Sequence, residues 1–260
     1  MDLGLEGKVV WVTGASSGLG RATAESLARE GATVAASARR AELLEEVVTG
    51  LATPGRAFPL DVTDERAVYD SAATIESDLG PIEVLVANAG GPPPGTFETT
   101  GDDDFRAGYA LTLESAWHLV RAVTPNMARR GHGVVIFITS WSTKEVIEGL
   151  FLSNVMRAAV MGMAKSMSKD LGPKGIRVLC IAPGRIATER IEELDDLTAQ
   201  RTGSSVEDVR DASEARVPLG RYGRPEEIAD VIAFLASERA SYMSGTTVVV
   251  DGGQLNMTGA

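Results

Sequence analysis

The 260-residue chain carries 25 basic against 36 acidic side chains, a net charge of −11, and 44% of it is apolar. That balance excludes a nucleic-acid surface, which needs a basic face, and no apolar run nears the roughly 20 residues of a membrane-spanning helix. The single cysteine, Cys180, excludes a disulfide within the chain, and with His118 in a helical stretch and His132 in a turn as the two histidines, a His-based metal site or triad is hard to assemble.

Residues 8–13 (Lys-Val-Val-Trp-Val-Thr) are short, apolar and β-branched, the pattern of a strand buried on both faces of a parallel sheet. Gly14, Gly18 and Gly20 follow as a loop, and Leu19, Ala22, Ala24, Leu27 and Ala28 continue at helical spacing to Gly31. Such a helix aims its unpaired N–H groups and positive dipole end at the loop, where a phosphate can sit. Glycine is needed where the backbone turns tightly or lies against the ligand. The strand before and the helix after make these glycines a dinucleotide-binding loop.

The second strand, 32–37, ends without the acidic residue that would accept from a ribose 2′-hydroxyl; Ala38-Arg39-Arg40 follow. A cation there suits a 2′-phosphate, so the expected cofactor is NADP in preference to NAD, with Arg39 the main determinant and Ser16 its helper. The bland alternative leaves both arginines as solvated residues before a helix. Next come helix 41–51, strand 56–60 and helix 64–79, the last with Thr63 as N-cap and Asp64 and Glu65 in its positive first turn. Pro81 restarts the chain as strand 82–88, and Gly91-Pro-Pro-Pro-Gly95 must be a loop.

Asp102, Asp103 and Asp104 favour the start of a long helix reaching about Arg130; no second ligand cluster makes them a metal site. Strand 133–139 ends at Ser140, and an irregular segment leads to helix 153–171. Strand 176–181, the Pro183-Gly184 turn, a polar region to Arg216, helix 225–236 and strand 246–250 complete the chain. The even alternation predicts one α/β domain over 1–260. It is a Rossmann-type doubly wound parallel sheet with helices on both faces and the ligand at the carboxyl ends of the strands. Residues 186–216 are expected to form a substrate lid, with Arg185 and Arg190 near its start. His118 is read as surface-facing, His132 as a turn residue, and Cys180 as an unreactive buried thiol.

The loop Thr13-Gly14-Ala15-Ser16-Ser17-Gly18-Leu19-Gly20 resembles that of the short-chain dehydrogenase/reductase family. So do Asp61-Val62, Asn88-Ala89-Gly90, Pro183-Gly184 with Ile186 and Thr188, and Asp251-Gly252-Gly253, in order along nearly the whole chain. The resemblance implies that Gly14, Ser16, Ser17, Gly18, Leu19 and Gly20 hold the dinucleotide and that Asp61 and Val62 contact adenine. It also implies that Asn88, Ala89, Gly90 and Ile186 bind the cofactor and that Pro183, Gly184 and Thr188 line its nicotinamide side. A cytoplasmic homotetramer or homodimer, packed through the long helix and acting on a small molecule, is a further implication.

The pattern departs from the family at the proton-delivery groups. The family's serine is kept as Ser140, but the tyrosine position falls on Ser153, the lysine position on Arg157 and the asparagine position on Thr112. No other register restores the motif, because Tyr69, Tyr109, Tyr222 and Tyr242 have no lysine four residues on. A tyrosine near pKa about 10 can be lowered by a cation into useful range, whereas an aliphatic hydroxyl lies far higher and a guanidinium stays charged. Ser153 is read either as catalytic or as an ordinary helix start or N-cap. Arg157 either holds ribose hydroxyls or grips a substrate carboxylate or phosphate. Ser140, with no histidine to activate it, is a hydrogen-bond donor to the substrate oxygen. Lys144, Glu145, Glu148 and Tyr109 are candidate displaced proton donors.

Three functions follow. The first is an NAD(P)-dependent oxidoreductase acting on a carbonyl or alcohol with altered proton delivery. The second is a nucleotide-binding or sensing protein without hydride chemistry, and the third a non-redox elimination enzyme.

Overall fold

The computed structural model describes residues 2–256. The apolar runs become seven strands: β1 Val9–Thr13, β2 Thr33–Ala38, β3 Gly55–Pro59, β4 Ile82–Ala87, β5 Gly133–Ile138, β6 Ile176–Pro183 and β7 Thr247–Val250. They form one parallel sheet in the order β3-β2-β1-β4-β5-β6-β7. Parallel neighbours require crossovers, which are supplied by α1 Gly18–Arg29, α2 Ala41–Thr49, α3 Glu65–Asp78, α4 Asp102–Tyr109, α5 Ser115–Arg130 and α6 Phe151–Leu171, then after β6 by α7 Glu189–Thr202, α8 Val206–Glu214 and α9 Pro225–Ala236.

Alternation along each strand divides the core in two. Val10, Val12, Val84, Val86 and Ile136 pack with α1, α2 and α9 on one face, and Trp11, Leu85, Val135 and Phe137 pack with α3, α5 and α6 on the other. The buried Trp11 indole is satisfied by donating to Ser37 Oγ at 2.9 Å. Chain order reverses between β1 and β4, which opens a crevice at their carboxyl ends.

Several expectations are corrected. Asp64, not Thr63, caps α3, its carboxylate accepting from Ala67 N at 3.0 Å. Thr63 is drawn instead to Asp61, to which its hydroxyl donates at 2.8 Å. Helix α6 begins at Phe151, so Ser153 lies inside its first turn and is not the N-cap. The long helix is interrupted by a π-helical stretch, Ala110–Glu114, between α4 and α5. The polar region after β6 contains α7 and α8, the latter opened by a Ser205–Asp208 capping box. His118 is not surface-facing: its side chain is 15% exposed, edge-on to the Tyr69 ring between α3 and α5, with Nδ1 3.5 Å from Glu65 Oε1. No helix among the described residues is long and apolar enough to cross a membrane.

Candidate active site

The end of β1 is tied to the end of β4 by one threonine: Thr13 Oγ1 donates to Asn88 O at 2.7 Å and accepts from Asn88 N at 2.9 Å. That pairing brings the glycine loop against Asn88. Gly14 has φ +61°, and a Cβ on it would stand 2.7 Å from Asn88 Nδ2. A Cβ on Gly20 would meet the Gly14 carbonyl oxygen at 2.1 Å. Gly20 therefore closes the loop onto its helix and is absent from the cleft wall, unlike the contact expected of it. No Cβ fits at Gly14 or Gly20, so the loop backbone packs directly against Asn88 and the start of α1.

The crevice is a cleft of about 580 Å³, within the range of small-molecule sites. Gly14, Ser16, Ser17, Gly18, Leu19, Arg39, Asp61, Val62, Asn88, Ala89, Gly90, Pro183, Gly184, Ile186 and Thr188 all line it, as do Ser140, Ser153 and Arg157. At the β2 end Arg39 and Arg40 both stand on the cleft wall. Arg40, rather than Arg39, reaches the loop, its Nη2 donating to Ser17 Oγ at 2.7 Å and to Ser16 Oγ at 3.3 Å. The doubled arginine was the signal; which of the two turns inward depends on where β2 ends. The Asp61 carboxyl is held below the usual range by hydrogen bonds from the Thr63 amide and hydroxyl, with Arg39 adding to the effect.

At the end of β5, Ser140 Oγ accepts from Ser142 N at 3.1 Å and caps a single 3-10 turn, Trp141–Thr143. This leaves its O–H free to donate into the cleft. Across from it, Arg157 Nη1 donates to the carbonyl oxygens of Ile138 at 3.0 Å and Thr139 at 3.1 Å. Burial, with the nearby Arg190 charge, pushes its pKa down to about 10, so it stays cationic at neutral pH.

Thr112 does not reach the cleft. It sits in the π-helical stretch, 7% exposed, with Oγ1 buried and unpartnered, on the wall of a cavity of about 20 Å³ shared with Arg157 and Asn88. That volume suits a single water. The displaced proton donors fail on position: Lys144, Glu145, Glu148 and Tyr109 are all absent from the cleft wall. Glu148 faces Arg201 at 3.7 Å, and Tyr109 is 42% exposed on α4. Cys180 is buried in β6, which pushes its thiol up to about 12 and leaves it inert.

The segment after β6 is held by a network that composition concealed. Arg185 Nη1 pairs with Asp195 Oδ1, Tyr222 OH donates to Asp195 Oδ2 at 2.8 Å, and Arg210 stacks over the Tyr222 ring at 5.4 Å. Asp195 is only 3% exposed, and burial raises the Tyr222 pKa. Asp195→Asn is expected to cost about 1.5–3 kcal/mol, the range for hydrogen bonds to charged groups. Calorimetry should read this as a fall of several degrees in Tm, and an unchanged Tm refutes the anchoring role. Two contacts span the cleft: Arg190 Nη2 donates to Pro92 O at 2.8 Å, and Arg40 Nη1 lies 3.8 Å from Glu189 Oε2.

A family model described as Enoyl-(Acyl carrier protein) reductase matches residues 14–254. The 3-oxoacyl-(acyl-carrier-protein) reductase FabG of Thermotoga maritima is 35% identical over 254 residues, covering 96% of this chain and 98% of that protein. The chain belongs to the short-chain dehydrogenase/reductase family. Among curated members of that family, gluconate 5-dehydrogenase of Gluconobacter oxydans is 33% identical over 252 residues, covering 96% of this chain and 95% of that one. Among solved short-chain dehydrogenase/reductase structures, L-sorbose reductase from Gluconobacter frateurii, complexed with NADPH and L-sorbose, superposes with a TM-score of 0.93 at 31% identity, covering 99% of this chain and 100% of that one. An actinorhodin polyketide ketoreductase with NADPH gives 0.91 at 28% identity, covering 96% and 98%.

Proposed function

We propose that the chain is an NADP-dependent oxidoreductase acting on a carbonyl or alcohol, with the proton delivered by a route other than a tyrosine. The observation that carries this reading is the cleft: a glycine loop with no room for a Cβ at Gly14 or Gly20, with the Ser16, Ser17 and Arg40 cluster at one end and Ser140 at the other. Solved relatives with NADPH support the choice of cofactor. Bound here, the nicotinamide supplies hydride, chemistry that belongs to the cofactor.

This chain's own residues position and polarise. Arg40, Ser16 and Ser17 hold a 2′-phosphate, and the α1 N-terminus faces the diphosphate. The Ser140 O–H donates to the substrate oxygen. Ser153, the other hydroxyl on that side, orients a solvent water that exchanges the proton. Loss of a dedicated acid–base group costs about 10²–10⁴-fold, which leaves a slow enzyme. Residues 186–216 act as the lid, and the exposed Phe105, Tyr109, Trp117 and Val155 on α4 to α6 support a homo-oligomer.

Titration with NADPH and NADH tests the cofactor reading. Wild type is expected to favour NADPH, and Arg40→Ala to weaken NADPH by about 10-fold or more while leaving NADH unchanged. Arg39→Ala is expected to have the smaller effect, and the reverse ranking refutes the assignment of Arg40. A second reading, cofactor binding without hydride chemistry, is favoured by the hold of the Ile138 and Thr139 carbonyls on Arg157. A carbonyl and alcohol panel that never changes nicotinamide absorbance, despite tight NADPH binding, would select it.

A further inference from the structure

In a chain of net charge −11 the cleft is cationic: Arg39, Arg40, Arg157, Arg185 and Arg190 stand on its walls against Asp61, Glu189 and Glu193. Arg40 is engaged by Ser17 and Glu189, Arg185 by Asp195, and Arg39 lies beside Asp61. Arg157 has no ion-pair partner among the described residues; one nitrogen meets two backbone carbonyls and its remaining donors are unused. Arg190, from α7, reaches over the cleft to Pro92 O, and its only carboxylate is the exposed Glu193 at 3.3 Å.

Two guanidiniums, one from α6 and one from α7, thus stand on the wall of the same cleft, and the Arg190 charge disfavours that on Arg157. A buried cation without a carboxylate partner, as Arg157 is, is costly unless an anion joins it. The rest of that end of the cleft is apolar: Leu111, Trp141, Ile147, Leu150, Ile191 and Leu194 line it, beside Ser140.

We propose that Arg157 and Arg190 form an anion site at the substrate end of the cleft and that the substrate is an oxo or hydroxy acid with an apolar body. Its carboxylate accepts from the two guanidinium forks, its chain lies along Leu150 and Leu194, and its carbonyl oxygen meets Ser140. The proposal rests on the reading of this cleft as a hydride-transfer site, but its test needs no turnover.

A phosphate of the dinucleotide shares the same chemistry, so the titration is run with and without saturating NADP⁺. The probes are 4-methyl-2-oxopentanoate and its methyl ester, followed by calorimetry and by emission of Trp141 on the cleft wall. The acid is expected to bind the NADP⁺ complex at least 10-fold more tightly than the ester. Arg190→Gln is expected to abolish that preference with ester binding unchanged, and Arg190→Lys, which keeps the charge without the fork, to retain part of it. Equal binding of acid and ester, no binding of the acid, or a preference that survives Arg190→Gln overturns the proposal. Acid binding that NADP⁺ displaces also overturns it and assigns the pair to the cofactor's phosphates. Failure of NADP⁺ itself to bind refutes the oxidoreductase reading instead, and the titration of the free protein still decides the anion site.

Discussion

Replacing Ser153 by tyrosine and Arg157 by lysine together is expected to raise NADPH-dependent turnover of a neutral ketone by about 10²–10⁴-fold, the usual contribution of a positioned acid–base group. Ser153 lies in the first turn of α6 and on the cleft wall, so an aromatic ring at that position carries its hydroxyl toward Ser140. Lysine one helical turn on replaces a guanidinium tied to the Ile138 and Thr139 carbonyls by a shorter-headed cation able to lower the phenol pKa. The tyrosine alone is expected to gain less, because the Arg157 guanidinium that remains is tied to the Ile138 and Thr139 carbonyls and does not donate to the phenol as a lysine ammonium does. The neutral substrate matters, since the same change removes a fork from the anion site. A double variant no faster than wild type sinks the view that proton delivery limits this chain.

Gly20→Ala is expected to weaken NADPH binding by on the order of 100-fold while the sheet remains folded. The added Cβ would stand 2.1 Å from the Gly14 carbonyl oxygen, a backbone atom with no rotamer to change. Overpacking of this kind costs about 1–3 kcal/mol, occasionally more, and about 3 kcal/mol is roughly two decades in affinity. Opening the loop spends that energy at the place where the phosphate must sit. Native-like circular dichroism with lost NADPH affinity is the predicted pair of results. Retained affinity shows that the loop tolerates the shift and that its backbone is not the phosphate cradle.

Much of this site was legible before any coordinates. The order of motifs from Gly14 to Asp251 placed the cofactor residues on the ends of successive strands, and all but Gly20 of those expected there line the cleft. The expectation that Ser153, Arg157 and Thr112 stand where the family carries tyrosine, lysine and asparagine rests on residue identity at fixed spacing. Hidden were the partners of long polar side chains. Arg40 donates to Ser16 and Ser17 of the loop; the Arg185–Asp195–Tyr222 network joins residues up to 37 positions apart; and Lys144, Glu145 and Glu148 do not line the cleft.

Local pattern therefore determined this protein's strands, helices, parallel sheet and nucleotide loop. Apolar period and backbone requirements are properties of neighbouring residues, and burial of a two-sided sheet admits few arrangements of them. Tertiary structure alone decided that Arg157 is buried with no carboxylate partner among the described residues, that Arg190 crosses the cleft to the Pro92 carbonyl, and that Thr112 lies in a π-helical stretch off the cleft wall. Charges and hydroxyls on flexible stems take their roles from what the fold places beside them, and those neighbours are distant in the chain.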